Sequence, residues 1–283
     1  MRSTTRLSFF LLLLSTHWAW VCSGRAQVAA PPVAAPDATP APAEQGKVLR
    51  RSYFCEQAGQ TIDYALYVPT TYRPDQPAPL LVLLHGLGSN PFQVLQYLGI
   101  IDQAEKRGYL VVAPMGYNSA GWYGSQGPGR DFKVKLLLPR NSPANLGALS
   151  EQDVLNVLDL TRQQFRIDPA RTYLMGHSMG GGGTLYLGMK YPTRWAALAA
   201  LSPAIFSDPA ALKALRRTPV MVVQGEKDLL VKVENTRRWV AKMAELAVPH
   251  EYVEIKGGDH LFSIATNPKM IERVFDFFEA HHR

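Results

Sequence analysis

Short apolar stretches rich in β-branched residues alternate along the chain with longer stretches of helical period. This alternation predicts a mostly parallel sheet covered by helices on both faces. The later strands are short and largely apolar, as expected for strands that are buried on both faces. The eight predicted strands are Val48 to Cys55, Ile62 to Val68, Pro79 to Leu84, Tyr109 to Pro114, Arg171 to Gly176, Ala196 to Leu201, Pro219 to Gln224 and Glu251 to Ile255.

The order of turns and caps adds detail to this sheet. A turn at Gly59 separates the first two strands, which should therefore pair antiparallel at one edge. Ser150 followed by Asp153 is a helix-capping signal, and Asn267 followed by Pro268 opens the last helix. The buried positions predicted on these two helices are Val154, Val157, Leu158 and Phe165, and Ile271, Val274, Phe275 and Phe278.

Residues 1–26 have the features of a secretory signal peptide. Arg2 and Arg6 precede the apolar run Leu7 to Leu14, and small residues follow up to Ala26. The apolar run is too short to anchor the chain stably across a hydrocarbon layer of about 30 Å. We therefore expect an exported protein, secreted or periplasmic, without a stable membrane span.

Residues 27–47 consist largely of Ala and Pro and predict an extended, semi-rigid linker. The remaining segment, 48–283, has the length of one large α/β domain. One hydrophobic core is expected.

The charge of the chain argues against a nucleic-acid partner. The net charge of +7 includes Arg2, Arg6 and Arg25, so the processed chain would carry 27 basic and 23 acidic residues. No block of like charges stands out. No His, Cys or carboxylate cluster has the spacing of a metal site, and neither a metal nor another cofactor is expected.

The two cysteines determine whether an exported chain could form a disulfide or carry a lipid anchor. Cys22 and Cys55 are the only two, and loss of the signal peptide would leave Cys55 without a disulfide partner. Acylation of Cys22 in a lipoprotein is the alternative. It is disfavoured because Val21 stands where a small residue is expected.

A nucleophile motif, GHSMG, occupies positions 176–180 between a predicted strand and a glycine-led helix. This is the G-x-S-x-G elbow in the context that it requires, and it predicts an α/β-hydrolase fold with Ser178 as nucleophile. The turn is so tight that the flanking residues must be small. The serine should be strained, with its hydroxyl exposed.

A serine hydroxyl needs a base to take its proton, and elimination among the histidines leaves His260. It follows the eighth predicted strand and therefore lies at the carboxyl edge of the sheet, where open α/β folds bind ligands. The acid should follow the preceding strand, because the triad in this fold runs Ser, Asp or Glu, then His. Asp228 fits this position, with Glu226 and Asp259 as alternatives.

Two fixed backbone amides should stabilise the oxyanion that forms during acyl transfer. One is the amide of Met179, directly after the nucleophile. The other is predicted to be the amide of Leu87 in the loop after the third strand, with Gly88 as the alternative. His85, at the start of that loop, is expected to be structural and bonded to nearby backbone.

The segment from Gly116 to Leu149 is long for a connection in a compact domain, and such segments often form lids or binding walls. Trp122 and Tyr123 lie in it beside several glycines. We hypothesise that one of these two aromatic side chains contacts the substrate, with simple packing of the loop as the alternative.

Three stretches carry a resemblance to known proteins: YALYVPTTYRPDQPAPLLVLLHGLGSN, SEQDVLNVLDLTRQQFRIDPARTYLMGHSMGGGGTLYLGMKYP, and VVQGEKDLLV with the later GGDH. They resemble secreted bacterial esterases near polyhydroxybutyrate depolymerases and feruloyl esterases, and the catalytic domain of prolyl oligopeptidases. The resemblance covers nearly everything from Tyr53 onward and implies acyl-enzyme chemistry on an ester or amide. No propeller precedes the predicted domain, which favours esters.

The leading hypothesis is a serine carboxylic ester hydrolase that forms an acyl-Ser178 intermediate on a small, aryl or polyester-type ester. A serine peptidase of the prolyl oligopeptidase type would use the same residues. A non-catalytic binding module on a hydrolase scaffold is the third hypothesis. It is disfavoured because each triad position holds a competent residue.

Overall fold

The computed structural model describes residues 44–125, 127 and 142–283. The predicted signal peptide, most of the predicted linker and part of the segment from Gly116 to Leu149 lie outside these residues. All eight predicted strands are present, and the fifth begins earlier than expected, at Ile167. The strands are β1 Val48–Cys55, β2 Gln60–Tyr67, β3 Ala78–Leu84, β4 Leu110–Pro114, β5 Ile167–His177, β6 Leu198–Leu201, β7 Val220–Gly225 and β8 His250–Ile255.

The strands form one sheet in the order β1-β2-β4-β3-β5-β6-β7-β8. The predicted antiparallel pairing of β1 with β2 at one edge is confirmed, and β2 also pairs antiparallel with β4. From β4 onward the neighbouring strands are parallel. The carboxyl ends of β5, β7 and β8 therefore meet at the same edge of the sheet.

Helices cover both faces of the sheet, as predicted. Along β3, Leu80, Val82 and Leu84 join one core cluster, which also includes residues of α3, α4 and α5, while Leu81 and Leu83 join a second cluster with α1, α2 and α7. This division follows from the two-residue period of a strand. The helices are α1 Pro91–Leu95, α2 Ile100–Arg107, α3 Leu146–Gln164, α4 Met179–Lys190, α5 Val233–Glu245, α6 Phe262–Ala265 and α7 Pro268–Glu279.

The predicted start of α3 is wrong. The helix begins at Leu146, so Ser150 and Asp153 lie inside it and are buried. The Ser150 hydroxyl oxygen accepts a hydrogen bond from the amide of Tyr123, and Asp153 accepts one from the amide of Gly116. These polar side chains hold a distant loop instead of capping their own helix. The predicted buried faces of α3 and α7 are confirmed: Val154, Val157, Leu158, Phe165, Ile271, Val274, Phe275 and Phe278.

Helix α4 packs closely against the chain that follows β6, and this contact leads to a testable prediction. A Cβ atom on Gly182 would lie 2.1 Å from the carbonyl oxygen of Ala204, which is backbone and cannot rotate away. We expect Gly182→Ala to lower the free energy of unfolding by about 3 kcal/mol, because the helix must move away from the segment that follows β6. Urea denaturation measures this change.

Gly147→Ala is the matched control for that substitution. Gly147 lies in α3, and a Cβ atom there would make only an ordinary contact at 3.8 Å. Its replacement should raise stability by up to about 1 kcal/mol, because alanine favours the helix. Equal unfolding midpoints for the two variants would contradict the close-packing argument.

Candidate active site

Ser178 lies on the sharp turn between β5 and α4, with φ of 58° and ψ of −118°. This backbone conformation is costly for a residue with a side chain, so the strain that the elbow motif predicts is present. The turn also brings backbone segments very close together. A Cβ atom on Gly176 would lie 2.3 Å from the carbonyl oxygen of Gly180, and one on Gly180 would lie 2.2 Å from that of Leu84.

The strain at Ser178 can be measured by comparing two substitutions. Both Ser178→Ala and Ser178→Gly remove the hydroxyl, but only glycine adopts this positive φ without a Cβ penalty. We expect the glycine variant to be more stable than the alanine variant by about 1 kcal/mol in urea denaturation. An alanine variant of equal or greater stability would show that the elbow stores no strain.

His260 joins the other two predicted triad side chains into one hydrogen-bonded chain. The Ser178 hydroxyl lies 2.8 Å from Nε2 of His260, and Nδ1 of the same ring lies 2.7 Å from Oδ2 of Asp228. With the proton on Nδ1, the ring donates to the carboxylate, and its free Nε2 accepts from the hydroxyl. The arrangement sets up the serine for deprotonation.

Asp228 is held rigidly and remains ionised. Its Oδ1 accepts hydrogen bonds from the amides of Leu230 and Val231 at 2.9 and 2.8 Å, and Gln224 donates to Oδ2 at 2.9 Å. Burial raises the pKa of this carboxyl, but the bonds from His260 and the two amides outweigh burial, so its pKa lies below the ordinary value. The carboxylate is therefore charged at neutral pH.

The two alternative acids are engaged elsewhere. Glu226 accepts a hydrogen bond from the amide of Gly257, and Asp259 accepts from the amides of Leu261 and Ser263. Both are exposed, whereas Asp228 is buried beneath the imidazole. The geometry favours Asp228.

Both predicted oxyanion donors belong to segments next to Ser178. Leu87 and Ser178 line the same cavity, and Met179 is the first residue of α4. Within the described residues, no hydrogen bond occupies the amide of either predicted donor. The amide of Gly88, the alternative, donates to the carbonyl of Ser119 at 2.8 Å and is therefore not available. The amides of Leu87 and Met179 are therefore the candidate donors to a developing oxyanion.

His85 supports this loop in the structural role that was predicted. Its buried ring places Nε2 2.8 Å from the carbonyl oxygen of Met115 and Nδ1 2.8 Å from that of Gly86. Burial lowers the pKa of His85, so the ring is neutral and donates one hydrogen bond to backbone.

A cavity of about 540 Å³ opens beside Ser178, and most of its wall is apolar. Trp122 lines it, and its ring contacts that of Phe206 edge to face with centroids 6.0 Å apart. The substrate-contact prediction is wrong for Tyr123. The side chain of Tyr123 is fully buried in the core, and its hydroxyl donates to the carbonyl of His85. Trp122 and Tyr123 are successive residues of one turn, and their side chains therefore point in different directions.

Sequence reasoning missed several cavity residues. Phe206, Leu230 and Leu261 line the cavity and are exposed, and each follows the carboxyl end of a different strand. No motif marks them. The available signal was their place in loops that follow β6, β7 and β8, which meet at the catalytic edge.

The described residues contain no group of three or more His, Cys, Asp or Glu side chains that could hold a metal ion. None of the helices in this part of the chain is long and apolar enough to cross a membrane. Cys55 is buried and free.

Comparison with known proteins gives consistent matches. A model of the family described as "Putative esterase" matches residues 55–267. The bifunctional acetylxylan esterase/xylanase of Neocallimastix patriciarum is 28% identical over 173 residues, covering 61% of this chain and 22% of the relative. The S-formylglutathione hydrolase of Rattus norvegicus is 29% identical over 147 residues, covering 50% of this chain and 51% of the relative.

The chain spans between 22% and 60% of the length of the first curated relatives it matches. Among solved structures, a ferulic acid esterase superposes with a TM-score of 0.62 at 16% identity, covering 82% of this chain and 97% of that one. At this identity the match concerns the fold alone. The α/β-hydrolase fold predicted from the elbow motif is confirmed.

Proposed function

The chain belongs to the esterase family, and on that premise we propose that it is a serine carboxylic ester hydrolase acting through an acyl-Ser178 intermediate. The observation that carries the proposal is the unbroken hydrogen-bonded chain from the Ser178 hydroxyl through His260 to a buried, ionised Asp228. Ser178 and His260 line a mostly apolar cavity, which supplies a place for the substrate.

The proposed reaction follows from this geometry. His260 takes the hydroxyl proton as the Ser178 oxygen attacks the ester carbonyl, and Asp228 stabilises the resulting imidazolium. The amides of Leu87 and Met179 bind the oxyanion. His260 then gives its proton to the leaving alkoxide, and the C–O bond breaks. A water molecule, deprotonated by the same ring, attacks the acyl-enzyme. The bond from the acyl carbon to the Ser178 oxygen then breaks, and His260 returns the proton to that oxygen, which releases the acid and restores the hydroxyl.

The substrate should carry an apolar group beside the scissile ester. The cavity is large enough for an aryl or short acyl group together with the leaving alcohol, and its aromatic wall is formed by Trp122 and Phe206. The names of two similar proteins, acetylxylan esterase and ferulic acid esterase, support ester substrates of this kind. We therefore propose small or aryl esters, alone or as units of a polymer.

Two measurements test the proposed reaction. A fluorophosphonate probe should label the folded protein at Ser178, since the activated hydroxyl attacks phosphorus as it attacks carbon. Initial rates on an ester and an amide of the same acyl group should favour the ester. Faster cleavage of the amide would support the peptidase hypothesis, and no labelling of the folded protein would support the binding module.

The role of Trp122 gives a prediction about specificity. Trp122→Ala removes part of the apolar wall, so we expect kcat/KM for a bulky aryl ester to fall about tenfold while that for an acetate ester changes little. Phe54→Ala is the matched control, because Phe54 is an exposed aromatic on β1 that does not line the cavity. An unchanged ranking across the ester panel would exclude a substrate contact.

We further propose that the chain is exported after cleavage near Ala26. Arg2, Arg6 and the apolar run that follows them support this proposal. Intact mass of the protein recovered from the medium or periplasm of a bacterial host tests it. A recovered chain that retains Met1, or one lipidated at Cys22, would contradict it.

A further inference from the structure

His177 lies directly before the nucleophile, as the last residue of β5, and both nitrogens of its ring have partners. Nε2 lies 2.7 Å from the backbone carbonyl oxygen of His260, and Nδ1 lies 2.8 Å from the hydroxyl oxygen of Tyr97. The side chain is almost fully buried. Neither contact belongs to the triad, yet one of them ends on the catalytic histidine itself.

The partners determine where the proton of the His177 ring resides. Burial, and then the neighbouring His260, lower the pKa of His177 to about 4, so its ring is neutral and has one N–H group. A carbonyl oxygen can only accept, so that N–H must be on Nε2. Nδ1 is then an acceptor, and Tyr97 must donate to it. Burial raises the pKa of Tyr97 to about 12, so its hydroxyl keeps the proton that it donates.

The last acceptor in this hydrogen-bonded chain is the backbone carbonyl of His260. The ring of the same residue must contact two other side chains at once. The His260 ring spans Ser178 and Asp228, and both contacts are already close to 2.8 Å. A rotation of the loop that carries His260 would lengthen one of them. The bond from His177 to the carbonyl holds this backbone at a third point.

We propose that Tyr97 and His177 are positioning residues that hold the backbone of His260 through the chain Tyr97 Oη–H to Nδ1, and Nε2–H to the His260 carbonyl. The inference rests on the proposed hydrolase function. A second consequence concerns charge: the two imidazole centroids are 5.0 Å apart, and a neutral His177 leaves the His260 ring free to become cationic during the reaction.

Two substitutions separate this role from simple packing. In His177→Gln the side-chain amide reaches the position of Nε2 and can still donate to the His260 carbonyl. In His177→Asn the amide reaches only the position of Nδ1, where it can meet Tyr97 but not His260. We expect the asparagine variant to lose about 100-fold in kcat with KM changed little, because the base is displaced from its target. The glutamine variant should recover at least about tenfold of that loss.

Soluble aryl ester hydrolysis by the full-length protein provides both constants, and urea denaturation checks that the variants fold. Equal kcat values for the asparagine and glutamine variants would overturn the proposal, as would a loss that appears only in KM. If the wild-type protein hydrolyses no ester, the proposed function fails instead, and the following measurement still tests the hydrogen-bonded chain.

Nitrogen NMR of the histidine-labelled protein tests the hydrogen-bonded chain without any measurement of activity. The His177 ring, assigned by its absence from the His177→Gln spectrum, should show the tautomer protonated at Nε2 at neutral pH. Tyr97→Phe removes the donor to Nδ1, so the ring should keep its proton on Nε2 while the Nδ1 resonance moves downfield, toward the value of an acceptor without a hydrogen bond. A wild-type ring protonated at Nδ1, or an Nδ1 resonance unaffected by Tyr97→Phe, would overturn the proposal.

Discussion

Ser178→Ala is expected to lower kcat for a soluble aryl ester by about a million-fold, because the acyl-enzyme can no longer form. The cavity and the oxyanion amides remain, so KM should change little and a residual rate above that of water should persist. Initial rates from stopped assays at high enzyme concentration measure the loss. Fluorophosphonate labelling should disappear in parallel.

Ser125→Ala is a suitable control for this substitution. Ser125 is buried, and its hydroxyl donates to the backbone carbonyl of Trp122, a residue that lines the cavity, and not to a histidine. We expect its activity and labelling to stay close to those of the wild type. Labelling that survives in Ser178→Ala would mean that another hydroxyl is the nucleophile.

Asp228→Asn is expected to lower kcat by about 10⁴-fold, because it forces the wrong tautomer on His260. The amides of Leu230 and Val231 donate to Oδ1, so they orient the asparagine with its carbonyl oxygen toward them and its NH₂ group toward the ring. Nδ1 of His260 must then accept, the ring proton moves to Nε2, and the Ser178 hydroxyl has no base. Steady-state kinetics at neutral pH tests this.

Glu226→Gln is the matched control, since it makes the same change in the alternative acid. Its side chain is exposed and accepts from the Gly257 amide, away from the imidazole of His260, so kcat should stay within about twofold. A larger loss in Glu226→Gln than in Asp228→Asn would reassign the acid.

Asp228 also predicts a dependence of stability on pH. Its pKa is lowered in the folded protein, so its carboxylate stabilises the fold above an unfolded-state pKa of about 3.9, and this contribution is lost as pH falls through the lower folded value. The difference in unfolding free energy between wild type and Asp228→Asn should therefore narrow below about pH 4. Urea denaturation across pH measures it.

The central strands β3, β4, β6 and β7 were predictable because each is a local apolar run. The two-residue alternation along β3 divides the core between the faces of the sheet. The start of α3 was not predictable in the same way. Ser150 and Asp153 have the composition of a cap, but their hydrogen bonds go to a loop that is distant in sequence. A capping rule considers only neighbouring residues, so it does not account for hydrogen bonds from these side chains to a distant loop.

The sequence by itself determined the elbow at Ser178 and the order of acid and base along the chain, because both are local patterns placed at strand ends. Only the tertiary structure decided between Trp122 and Tyr123, and brought His177 against the backbone of His260. The physical reason is the order of strands in the sheet. It sets which loops meet at the catalytic edge, and contacts between such loops depend on three-dimensional packing, which leaves no periodic signal in the chain.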